Sequence, residues 1–134
     1  VSGGNWMKIL FALVFAVLLA NPDRALAKDA HAALDKYLPY AGEPVDRFQF
    51  TQLQKWVLLD EYRIVVWPRL NQAFLLRVDP PCQDLEWAHQ IGLTSSANVV
   101  SRRFDSVIVG DDKCRINEIR PLDLKAMNAA TGKP

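Results

Sequence analysis

Histidine and cysteine each occur only twice in the 134 residues. That leaves too few ligands for a structural zinc site, and the two cysteines lack the CxxC spacing of redox motifs. Charge of one sign is also missing. Sixteen basic residues face 15 acidic ones, a formal net charge of +1. Such a balance gives no electrostatic footprint for bulk nucleic acid or an anionic membrane. With 6 glycines and 8 prolines, the chain is neither collagen-like nor of low complexity. The G-x-S-x-G elbow, the P-loop, the dinucleotide fingerprint, H-E-x-x-H and the EF-hand spacing do not occur. What remains is half hydrophobic and 23% charged, the composition of one small globular domain.

The longest apolar run is Ile9 to Ala20, 12 residues, against the roughly 20 that a bilayer span needs. Met7-Lys8 precedes it. Asn21-Pro22-Asp23-Arg24 and then Ala25-Leu26-Ala27 follow it. A basic start, a short apolar stretch and a small-x-small site predict a secretory signal peptide over residues 1–27, with translation starting at Met7 and cleavage after Ala27. The alternative is a retained N-terminal anchor or an apolar core helix. The expected mature chain, 28–134, is a single domain with no further linker or repeat and no membrane span.

Both cysteines, Cys82 and Cys114, fall in that mature part. An even number of cysteines in an exported chain predicts one disulfide. The alternative is two buried free thiols.

Around these anchors the hydrophobic period predicts an α+β fold. Asp29 can cap a helix to Leu38, ended by Pro39. Val45–Phe50, Lys55–Leu59, Tyr62–Trp67 and Ala73–Val78 alternate with period two and read as an antiparallel meander. Trp56, Val57, Leu58 and Leu59 are all apolar, so this strand should be covered on both faces. Asp84 can open a helix through Leu85 and Ala88 that Gly92 closes. Ala97–Ser101, Ser106–Val109 and Cys114–Ile119 read as strands, the last two as a hairpin. Ile119 is out of phase with Cys114 and Ile116, which predicts a strand end or bulge near Asn117. Pro121 should open a final short helix. The whole is mainly an antiparallel sheet, meander plus C-terminal hairpin, barrel-like in outline, with short flanking helices.

Several of these pieces resemble a group of uncharacterised exported proteobacterial proteins classed as a domain of unknown function. They are Trp56-Val57-Leu58-Leu59-Asp60, Ile64-Val65-Val66-Trp67, Ala73-Phe74-Leu75-Leu76, Pro81-Cys82, Phe104-Asp105-Ser106-Val107 and Cys114-Arg115-Ile116. They lie within about half of the chain. The resemblance implies an envelope protein of unknown activity and carries no catalytic residue across.

Few side chains point to chemistry. His31 stands beside the expected cleavage site. His89 has Glu86 three residues away, on one helical face, and Asp84 five away, off it. Ser95, Ser96 and Asp105 are candidate companions for His89 in a small hydrolase-like enzyme. Asp105, Asp111 and Asp112 offer oxygens to a cation, though a polar hairpin turn explains the last two equally well. Arg102, Arg103 and Arg115, with Arg120 nearby, can form a basic spot for an anionic group or a partner. Trp56, Trp67, Phe74 and Trp87 can line a groove or fill a core.

The reading that uses most of these observations is a small periplasmic or secreted protein, a non-catalytic binding or accessory module. No metal or cofactor is expected. Its partner would be an envelope protein or a small ligand, not nucleic acid. The hydrolase centred on His89 is the alternative.

Overall fold

The strands pair into one six-stranded sheet and a separate two-stranded ribbon. The computed structural model describes residues 32–132. The expected signal peptide, the Lys28 terminus, the Asp29 cap and His31 lie outside the described residues. Strands β2 (Lys55–Leu58), β3 (Arg63–Arg69) and β4 (Gln72–Val78) form the expected meander. The hairpin β7 (Ser106–Val109) and β8 (Asp112–Leu122) joins it where β8 lies antiparallel to β4. A short β5 (Gly92–Leu93) completes the order β2-β3-β4-β8-β7-β5. The result is a half-barrel with β2 and β5 at its edges. β1 (Arg47–Gln49) was expected beside β2. It pairs instead with β6 (Val99–Ser101) in a separate antiparallel ribbon. The alternation in Val45–Phe50 marks a strand but carries no information about which neighbour it takes.

Two bulges keep apolar residues on the right faces. Val66 faces Phe74 and Arg69 faces Gln72, so Trp67 and Pro68 share Ala73 as opposite number. Pro68, which has no N–H to give, sits where the ladder is interrupted. β3 therefore runs through Pro68, beyond the expected end at Trp67, and a tight turn at Leu70-Asn71 follows. In β8 the partners shift from Glu118 against Arg77 to Ile116 against Val78. The skipped residue is Asn117, which donates to Asp79 Oδ1 at 2.7 Å. This is the bulge that the phase of Ile119 predicted, but the strand continues through it. Pro121 is consequently in β8, not at a helix start. Its carbonyl accepts from Gly42 N–H at 2.8 Å. A strand residue turns both its backbone N and its C=O to one side, so the missing N–H costs the β4 ladder nothing.

Apolar side chains from alternate positions fill both faces. Ile64, Val66, Phe74, Leu76, Ile116 and Ile119 point to one, where Phe48 and Val100 of the ribbon cover them. Phe48 stacks on Phe74 with centroids 4.5 Å apart. Val65, Trp67, Ala73, Leu75 and Leu122 point to the other. There two helices close the core: α1 (residues 32–37) through Tyr37, and α2 (Leu124–Ala130) through Met127. Asp123 caps α2, accepting from Ala126 N–H at 3.0 Å. Trp56 and Leu58 pack on the first core and Val57 on the second, as expected for a strand covered on both sides.

α1 ends at residue 37, close to the expected stop before Pro39, and Pro39 sits in a 3-10 turn, Leu38–Tyr40, that follows it. Two helical expectations are corrected. Asp84 makes no cap, and only a 3-10 turn forms at Leu85–Trp87. Gly92 is in β5 rather than at a helix end. Ala97 likewise leaves the expected strand. It and Asn98 take φ values of 51° and 60°, making a tight turn between Ser96 and Val99. The expected disulfide is present: Cys82 and Cys114 are bonded across 32 positions. It ties the crossing segment after β4 to β8.

Candidate functional site

The loop between β6 and β7 is where burial and exposure conflict most sharply. Asp105 is the one buried charged residue among those described, at 5% exposure. Its Oδ1 accepts from the Thr94 hydroxyl at 2.8 Å and its Oδ2 from Ser101 N–H at 2.6 Å. Thr94 Oγ1 in turn accepts from Ser106 N–H at 2.8 Å. The backbone of Asp105 is also used. Its N–H donates to Ser101 O at 2.9 Å, and its carbonyl accepts from Ile116 N–H at 3.1 Å. A buried carboxylate is tolerated only with such partners. The knot closes the loop on itself and leaves Phe104 at its tip, 81% exposed.

Arginines lie near that tip. Arg115 reaches from β8 to donate to the Arg103 carbonyl at 3.2 Å. Arg102 lies 3.4 Å from Asp46, an exposed ion pair of the kind that contributes little to stability. A depression of about 340 Å³ is lined by Asp46, Arg47, Ser101, Arg103 and Phe104. Of the three arginines in the sequence reading, the structure places Arg103 in this lining, Arg115 against the Arg103 carbonyl and Arg102 against Asp46. It adds two residues that reading missed. Arg47 belongs to β1, whose pairing with β6 (Arg47 opposite Ser101) was not legible. Phe104 stands next to Arg102-Arg103 in sequence, but nothing in the pattern separates an exposed aromatic from a core one. Arg120 drops out. Its guanidinium donates to the carbonyls of Gly42 and Ala41 at 2.9 and 3.3 Å, pinning the segment beside β8.

The candidate catalytic residues are arranged differently. His89, Ser95 and Ser96 are exposed. Among the described residues no hydrogen bond joins His89 to either serine or to Asp105. Both carboxylate oxygens of Asp105 are committed to the loop knot. Asp112 faces Asp84 instead of forming a site with Asp105. A hydrogen bond with Asp84, and then its negative charge, raise the Asp112 carboxyl above the ordinary aspartate range. Among the described residues no group of three or more His, Cys, Asp or Glu is placed to hold a metal.

Of the four aromatics singled out, Trp67 and Phe74 are core and Trp56 is half-buried against it. Trp87 is 74% exposed. It stands over a hollow of about 300 Å³ with Glu61, Tyr62, Pro81, Gln83 and Glu86, floored by the buried, disulfide-bonded Cys82.

One family model, described as a family of unknown function (DUF6491), matches residues 5–133. The match spans far more of the chain than the resembling segments do. No curated protein and no solved structure matches.

Proposed function

We propose that this chain, which belongs to the DUF6491 family, is a small exported binding or accessory module that works without chemistry of its own. It docks through the arginine loop onto an anionic group of an envelope partner. One observation carries the reading: a hydrogen-bonded loop leaves Phe104 in water beside Arg47 and Arg103, with Arg115 held on the Arg103 carbonyl. Exposing a phenyl ring forfeits the free energy of burying it, on the order of 1.5–3 kcal/mol. Spending a buried carboxylate to hold that ring outward makes sense when a partner covers it. A preformed loop also lowers the ordering cost of binding. Aromatic and arginine side chains are the usual energetic anchors of interfaces, and guanidinium groups pair bidentately with carboxylates and phosphates. Export rests on the Met7 to Ala27 pattern, and an oxidising compartment suits the Cys82–Cys114 bond.

The test uses the product exported from the full chain, whose intact mass should correspond to residues 28–134. Its retention on an envelope fraction is measured for the parent, Phe104→Ala and Arg103→Glu. Each variant should lose about tenfold or more in apparent affinity, the scale of an interface anchor. Equal retention of all three contradicts the reading, as does an intact mass that still includes Ile9–Ala20.

A further inference from the structure

We infer that the arginine loop of one copy docks into the acidic hollow beside Trp87 of a second copy. The inference rests on reading the loop as a docking surface and names its occupant. Among the described residues four large apolar side chains are exposed: Leu38, Leu70, Trp87 and Phe104. The two aromatics of this set stand on ground of opposite charge. Phe104 lines a depression with Arg47 and Arg103, where Asp46 is the one acid. Trp87 overlooks a hollow lined by Glu61 and Glu86 and by no basic side chain.

Shape and charge match in the same sense. The tip is a single convex phenyl ring. The hollow, about 300 Å³, gives that ring the Trp87 indole as an edge-to-face or offset partner. Guanidinium groups flanking the ring then meet the Glu61 and Glu86 carboxylates, where two N–H groups and two oxygens can pair. Both halves are rigid. The Asp105 knot fixes the loop, and the Cys82–Cys114 bond fixes the floor of the hollow. The linings of the two share no residue, so the pairing is drawn between chains. Because the two halves are different residues, the contact is either repeated head to tail or made twice about a two-fold axis. Both arrangements use the same residues. An interface built on two loops falls at the small end of specific contacts, so association is reversible and weakened by salt.

Sedimentation velocity of the exported protein over roughly 1 µM to 1 mM, the range of weak complexes, reads this directly. The weight-average mass should rise with concentration, and less so at high salt. Phe104→Ala and Glu86→Arg change exposed residues and should leave the urea midpoint in place. Each should weaken self-association about tenfold or more. Mixing the two variants should restore part of it, because each supplies the half that the other lacks. A monomer at every concentration overturns the inference. So does association that both variants leave unchanged, or a mixture no better than its components. Vesicles of phosphatidylglycerol are the competing occupant. Loop-dependent vesicle binding by a protein that stays monomeric assigns the loop to lipid and overturns the second-copy contact. If self-association is absent while Phe104→Ala still loses envelope retention, this inference fails and the docking reading stands.

Discussion

Asp105→Ala should unfold the protein more easily by about 2–4 kcal/mol. The figure follows from what the carboxylate does. It is buried and accepts two hydrogen bonds, from Thr94 Oγ1 and Ser101 N–H. Removing it leaves the Ser101 N–H without its acceptor, which costs about 1–3 kcal/mol. Thr94 keeps the bond it accepts from Ser106 N–H and loses only the one it donates, about 1 kcal/mol more. Against a typical stability of roughly 5–15 kcal/mol this is a large share. Urea unfolding with an unchanged slope measures it. Asp105→Asn keeps the shape and one acceptor, so it should cost about half as much. Amide exchange at Arg103 and Phe104 should quicken in both variants, because the loop loses its tie. A loss for Asp105→Ala below about 0.5 kcal/mol, the scale of a surface change, would refute the idea that this carboxylate holds the loop.

Replacing Cys82 or Cys114 by alanine should cost about 2–5 kcal/mol in the same urea assay, because a 32-position closure is released in the unfolded chain. The Asp84–Asp112 contact should give a small pH dependence of definite sign. Folding raises the Asp112 pKa, so the folded state holds this proton more tightly and stability falls as pH climbs from the ordinary aspartate range through the raised value. Asp112→Asn should flatten that slope and stabilise the protein at neutral pH, as paired urea curves at about pH 3 and about pH 7 would show. His89→Ala should change stability by no more than about 0.5 kcal/mol and leave biological complementation intact. A folded variant that fails to complement would favour the enzyme reading.

The parts of the fold that were legible are those set by local pattern. Period two in Lys55–Val78 gave the meander. The phase slip between Ile116 and Ile119 gave a bulge. Two cysteines, read as a pair, gave the staple. Features that depend on contacts remote in sequence were not legible. β1 leaves the meander for β6 because Phe48 and Val100 cap one face of the sheet, and no residue of Val45–Phe50 announces that choice. Pro121 reads as a helix start because its missing N–H is a liability in most strands; here that side of β8 faces Gly42 rather than β4. The same remoteness hid part of the candidate site. Arg102, Arg103 and Arg115 are near one another along the hairpin, whereas Arg47 arrives from a strand more than 50 residues earlier. Asp105 read as a possible ligand or base; its actual partners, Thr94 and Ser101, become neighbours only when the loop closes.

The central claim is that Phe104 is held in water for a partner to cover. Site-specific photocrosslinking in living cells tests it most directly, because Leu70 offers a matched control. Phe104 and Leu70 are both 81% exposed, but Leu70 tops a hairpin turn and is not among the residues lining the arginine depression. A photoreactive residue at position 104 should give a discrete crosslinked species that Arg103→Glu abolishes, while position 70 should give none. Crosslinking that is equal at both positions, or absent at 104 in a folded and exported protein, would contradict the account.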